Sequence, residues 1–166
     1  MKILAAVAVA LAALTVSACS SGAPADPSPT PTPTVAVASE KQVASVVAEY
    51  AADWQEVIDT ASECRLVYVM GGDAATEYTC KTREETIGVT AGLALRDLRE
   101  LNVPSSMESL VADTDDVLTS ISGTDLTSLC GDDGWKDAPD CSSALADRYA
   151  AYTRLDSQLA AWSPYL

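Results

Sequence analysis

The sequence predicts an all-α domain, an antiparallel four-helix bundle clamped by two disulfides. Three observations carry this expectation. Apolar residues recur at spacings of three and four in four separate stretches, candidate capping residues precede most of them, and four cysteines fall at the joints between them.

Ser39 with Gln42 reads as a capping box that opens the first helix. Its inner stripe is Val43, Val46, Val47, Tyr50, Trp54, Val57, Ile58 and Ala61. Thr82 with Glu85 reads as a second box, ahead of Ile87, Ala91, Ala94, Leu98 and Leu101, and Asn102-Val103-Pro104 closes that helix. Ser105 with Glu108 reads as a third, leading into Met107, Leu110, Val111, Thr114, Val117, Leu118 and Ile121, with Gly123 as the stop. The fourth helix takes Asp140 or Ser142 as its cap and carries Leu145, Tyr149, Tyr152, Leu155, Leu159 and Trp162 until Pro164. Short links favour antiparallel neighbours, so up-down-up-down is the simplest closure. Between the first two helices, Leu66 to Met70 is β-prone. Gly71-Gly72-Asp73 can turn it back toward Thr76 to Thr79 as a small hairpin, although an irregular loop or a further helical turn also fits.

Ahead of this domain, residues 1–18 read as an export signal, with Lys2, an apolar run from Ile3 to Leu14, and the small residues Ser17 and Ala18. The apolar stretch to Val16 is about 14 residues, and crossing a ~30 Å hydrocarbon core as a helix takes roughly 20. Residues 19–38 form a Pro/Thr-rich linker centred on Pro27-Ser28-Pro29-Thr30-Pro31-Thr32-Pro33-Thr34, expected to be disordered with polyproline character. At ~3.1 Å per residue such a spacer reaches about 60 Å. Residues 39–166 are the bundle domain.

The segment Val16-Ser17-Ala18-Cys19 resembles the lipobox of bacterial lipoprotein signals: an aliphatic residue, two small ones, then cysteine. That resemblance implies cleavage before Cys19, lipid on its thiol, and residence on the extracytoplasmic face of the cell membrane. Several acyl chains on one cysteine make a stable anchor where one is marginal. The anchor, the spacer and the Ala-rich composition together resemble small helical lipoproteins of actinobacteria, a likeness of style that implies no reaction.

With Cys19 assigned to lipid, Cys64, Cys80, Cys130 and Cys141 remain, an even number in an oxidising compartment. Four cysteines allow three pairings, and Cys64 with Cys80 and Cys130 with Cys141 is the local one. A zinc site from all four thiolates is the alternative, weakened by the lack of a C-x-x-C knuckle.

The chain has no histidine and a formal charge of −14. The first fact removes imidazole as base, proton shuttle and metal ligand, and with it Ser-His-Asp and Cys-His catalysis. The second repels phosphate backbones and anionic headgroups, so nucleic acid is excluded as a partner and peripheral adhesion to lipid is disfavoured.

Candidate ligand groups reduce to a few. Asp113, Asp115 and Asp116 read chiefly as a solvated helix face. Gly131-Asp132-Asp133-Gly134 with Asp137 and Asp140 is a calcium candidate by residue type but fails the EF-hand spacing, and it reads chiefly as an ordinary solvated turn. Tyr50, Trp54, Tyr149, Tyr152 and Trp162 follow helical spacing and read as core, while Trp135 lies outside any stripe. Arg65, Lys81 and Arg83 form a small basic island, with Glu63, Glu84 or Glu85 as expected ion-pair partners. The reading that follows is a non-enzymatic, membrane-tethered interaction module without cofactor or metal. Its partner is an envelope protein or small ligand. Cation capture by the acidic surface and an envelope defence or exclusion role are the alternatives.

Overall fold

The computed structural model describes residues 36–131 and 139–166, and these are helical, with no strand among them. The helices are α1 (Glu40–Met70), α2 (Ala74–Arg99), α3 (Glu108–Ser122), the short α4 (Leu126–Cys130) and α5 (Pro139–Trp162).

The α1 cap forms as its sequence predicts. Ser39 donates its backbone N–H to Gln42 Oε1 (2.8 Å), and Gln42 returns its own N–H to Ser39 Oγ (3.3 Å). The other end of α1 differs from the expected hairpin. Leu66 to Met70 continues the helix, because Cys64 and Tyr68, one turn apart, both bury on its inner face. That burial outweighs the β preference of Leu66-Val67-Tyr68-Val69. Gly71 ends the helix at φ 80°, a backbone conformation that favours glycine, while its N–H still bonds Val67 O at 2.8 Å.

Three further expected starts are corrected. The cap of α2 is Asp73, whose Oδ1 accepts from Ala75 N and Thr76 N at 3.0 and 3.1 Å. Thr82 is therefore interior to α2, and its hydroxyl donates to Tyr78 O (2.9 Å) instead of opening a helix. Ser105 does not cap α3 either. A tight turn in which Met107 N bonds Pro104 O (2.9 Å) carries the chain to Met107, which precedes the helix with no side-chain cap and is fully buried. Ser106 instead donates to Glu40 Oε1 at 2.7 Å, tying this turn to the start of α1. Finally, α5 starts at Pro139, ahead of Asp140 and Ser142, since proline's fixed φ suits the first turn of a helix.

The short α4 has no counterpart among the four expected helices. Asp125 caps it by accepting from Ser128 N (3.0 Å), and it buries Leu126 and Cys130.

Each of α1, α2, α3 and α5 packs against two of the others in the cyclic order α1, α2, α3, α5, and α4 leans on α5 and α2. The main core holds Val43, Val47, Trp54, Ile87, Leu98, Leu118, Ile121, Leu155 and Trp162 among others. Its two large indoles keep their N–H groups satisfied, Trp54 on Thr90 Oγ1 and Trp162 on Thr114 Oγ1, both at 2.9 Å. This is what allows a tryptophan to bury fully. A second, smaller core collects Tyr68, Leu126, Ala144 and Leu145 around four cysteines. The disulfides are Cys64–Cys80 and Cys130–Cys141, with Cα separations of 5.4 and 4.7 Å. The first joins α1 to α2 inside both helices rather than at their ends. The second joins α4 to α5.

Candidate functional site

Between the two cores lies a buried polar layer. Along α2, Cys80 belongs to the small core and Ile87 to the large one; along α5, Leu145 and Ala151 divide in the same way. Glu84 and Arg148 fall in the interval on each helix, and both are only 2% exposed.

Arg148 donates from Nη1 to the carbonyl of Glu84 (3.2 Å) and from Nη2 to the carbonyl of Thr124 (2.6 Å), so one guanidinium holds α2 and the α3–α4 connection to α5. Its Nε has no hydrogen-bond partner among the described residues. Tyr152 donates its hydroxyl to Glu84 Oε2. Gly88, one turn beyond Glu84, leaves room for the guanidinium: a Cβ there would meet Arg148 Nη1 at 3.4 Å. A cleft of about 360 Å³ lies over this point, lined by Gly88, Arg148, Thr124 and Thr127 among others.

The electrostatics follow from burial. Desolvation raises the Glu84 carboxyl above its ordinary value, and the Tyr152 hydrogen bond and the Arg148 charge offset this only in part. Burial and then the neighbouring Glu84 push the phenols of Tyr68, Tyr149 and Tyr152 far upward, so all three remain protonated. The layer can hold charge and orient helices. Its arginine is bound to main-chain carbonyls and its tyrosines stay neutral.

Glu84, expected as an ion-pair partner for the basic island, is instead buried in this layer with Arg148. The signal was there in the spacing. Glu84 stands three residues before Ile87, and Arg148 stands three after Leu145 and four before Tyr152, so each lies on its helix's inner stripe. Arg83 pairs instead with Glu56 across the α1–α2 contact (3.3 Å), because Glu84 points inward.

The other predicted candidates resolve individually. Asp115 accepts both arms of Arg99, from Nε at 2.6 Å and Nη2 at 2.8 Å, and these bonds hold its carboxyl below the ordinary range. Asp113 and Asp116 are exposed beside it. Among the described residues no group of three or more His, Cys, Asp or Glu is placed to hold a metal ion. Tyr50 stacks on Trp54 with centroids 5.6 Å apart, and Tyr149 meets Tyr152 edge-on. These rings pack against the core. Cys19, Asp132, Asp133, Gly134, Trp135 and Asp137 lie outside the described residues.

At the far end of the α1–α2 pair, four large apolar side chains face solvent: Leu66, Val69, Met70 and Tyr78, exposed by 60, 76, 80 and 71%. Leu66, Val69 and Met70 share one face of α1. No described helix is long and apolar enough to cross a membrane. Comparison with protein-family models, with curated proteins and with solved structures finds no match to this chain.

Proposed function

We propose that the protein is a membrane-tethered, extracytoplasmic lipoprotein whose helical domain acts as a non-enzymatic binding module of the cell envelope. The tether reading rests on Val16-Ser17-Ala18-Cys19 behind an apolar signal, followed by a Pro/Thr-rich spacer. We further propose that α1, α2, α3 and α5 close as an antiparallel up-down-up-down bundle. Their cyclic packing and the short α1–α2 and α2–α3 connections support this.

The observation that carries the binding role is the solvent-facing apolar end of the α1–α2 pair. Leu66, Val69, Met70 and Tyr78 stand out on a domain whose other helices turn most of their large apolar residues inward. Isolated exposed apolar residues are ordinary, but Leu66, Val69 and Met70 share one face at the end of α1 on a strongly acidic chain, which supports a contact role.

Crosslinking in intact cells followed by peptide mass spectrometry tests the reading. The expected result is an acyl-modified Cys19 peptide, with the protein in the membrane fraction and crosslinks at the α1–α2 end. A protein recovered wholly from the medium with an unmodified Cys19 would overturn it.

A further inference from the structure

We propose that the cleft over Arg148 binds a small zwitterion of the α-amino acid class, with the ligand's carboxylate on the guanidinium and its ammonium beside Glu85 and Asp125. The proposal goes beyond the tether and the α1–α2 end and depends on neither.

Arg148 is a buried cation short of an anion. It is 2% exposed, and an arginine stays charged wherever it is placed. Taking a guanidinium out of water is costly unless hydrogen bonds and a counter-charge replace the solvent. The carbonyls of Glu84 and Thr124 occupy two of its five N–H groups, and Nε has no partner among the described residues. Arg83, Arg96 and Arg99 each pair with a carboxylate, whereas Arg148 pairs with none among the described residues. Glu84 shares its layer but gives Oε2 to the Tyr152 hydroxyl.

The cation is reachable at one point. Arg148 lines the cleft of about 360 Å³, a volume within the range of small-molecule sites. Gly88 lines it too, and a Cβ there would stand 3.4 Å from Nη1 and 3.7 Å from Nη2. A ligand oxygen can therefore approach the guanidinium where any other residue would put a methyl group.

The rim selects the ligand's charge pattern. Glu85 and Asp125 line the same cleft and are exposed. Glu85 Oε1 accepts from Thr127 Oγ1 (2.9 Å) and Asp125 Oδ1 from Ser128 N (3.0 Å), which leaves Oε2 and Oδ2 for a ligand. Two carboxylates repel a dianion such as sulfate, and the guanidinium repels a simple cation. One molecule carrying a carboxylate and an ammonium satisfies both. Val89, 63% exposed on the same cleft, offers contact to a short aliphatic side chain.

NMR titration of the full chain in detergent tests this with glycine, L-alanine and L-leucine, against propionate and L-alaninamide as carriers of one charge each. At least one of the three amino acids is expected to shift the amides of Gly88, Thr124 and Arg148 to saturation at millimolar concentration. Each single-charge compound should bind about tenfold more weakly, having lost one charge-assisted contact. Gly88→Ala keeps the fold and covers the guanidinium, so affinity should fall by about tenfold or more. Glu85→Gln alters an exposed side chain and should weaken the amino acid while leaving propionate unchanged. Three results each overturn the proposal: no saturating shift with any amino acid, propionate or L-alaninamide binding as tightly as the zwitterions, or undiminished binding by Gly88→Ala.

Discussion

The hydroxyl of Tyr152 donates a hydrogen bond to the carboxylate of Glu84, and both residues are almost wholly buried. This contact sits in the layer that separates the main core from the disulfide-clamped end. Tyr152→Phe keeps the ring and removes only the donor, leaving a buried acceptor without it. The expected loss is about 1–3 kcal/mol in urea unfolding, larger than an exposed hydroxyl would cost, and an unchanged midpoint would refute the role given to this bond.

Glu84 also sets a pH dependence. Its carboxyl is raised above the ordinary 4.5, mainly by desolvation. The folded chain therefore binds that proton more tightly than the unfolded one. The associated stability is complete below about pH 4.5 and declines as pH rises through the raised value. Asp73 and Asp115, held below the ordinary 3.8 chiefly by their bonds to Thr76 and Arg99, act in the opposite sense. Their contribution is present above that value and fades as pH falls. Melting temperature should thus decline on both sides, and Glu84→Gln should flatten the limb above pH 4.5 while leaving the acid limb in place. Identical profiles for the two proteins would contradict the assignment.

Gly88 separates two effects by size. A methyl group there meets Arg148 Nη1 at 3.4 Å, an ordinary contact, and gains helix propensity. Gly88→Ala is expected to be neutral or to stabilise by up to about 1 kcal/mol. Gly88→Leu has to displace the guanidinium from its carbonyls and is expected to destabilise by about 1–3 kcal/mol. Thermal melts of the pair decide this by their opposite signs.

The two disulfides close short loops, with sequence separations of 16 and 11. Replacing either pair by alanine, Cys64→Ala/Cys80→Ala or Cys130→Ala/Cys141→Ala, should cost roughly 3 kcal/mol in the chain-entropy account. Calorimetry of each double variant, with and without reductant, measures the two separately. A variant as stable as the parent would mean that helix packing already confines that loop.

Much of the fold was legible because burial writes a period of three to four into a helix. The stripes through Val43, Ile87, Leu118 and Leu155 are the stripes the core uses. Helix starts were less legible. Ser105 and Thr82 carry the right residues for caps, but a cap needs non-helical backbone at that position, and packing decides whether it exists. Thr82 lost that chance when Asp73 began α2 earlier. Leu66 to Met70 misled for a related reason, since local β preference is weak beside the burial of Cys64 and Tyr68.

The polar layer was hidden by an ordinary assumption, that charged residues face water. Glu84 obeys the stripe, yet its charge argued it outward. By itself the sequence determined what local chemistry can specify: the absence of histidine, the helical periods and the first cap. Only the tertiary structure decided which charges are buried, where α2 and α5 begin, and which apolar residues remain exposed. Those outcomes depend on what another helix places opposite each side chain, and no stretch of sequence contains its own neighbour.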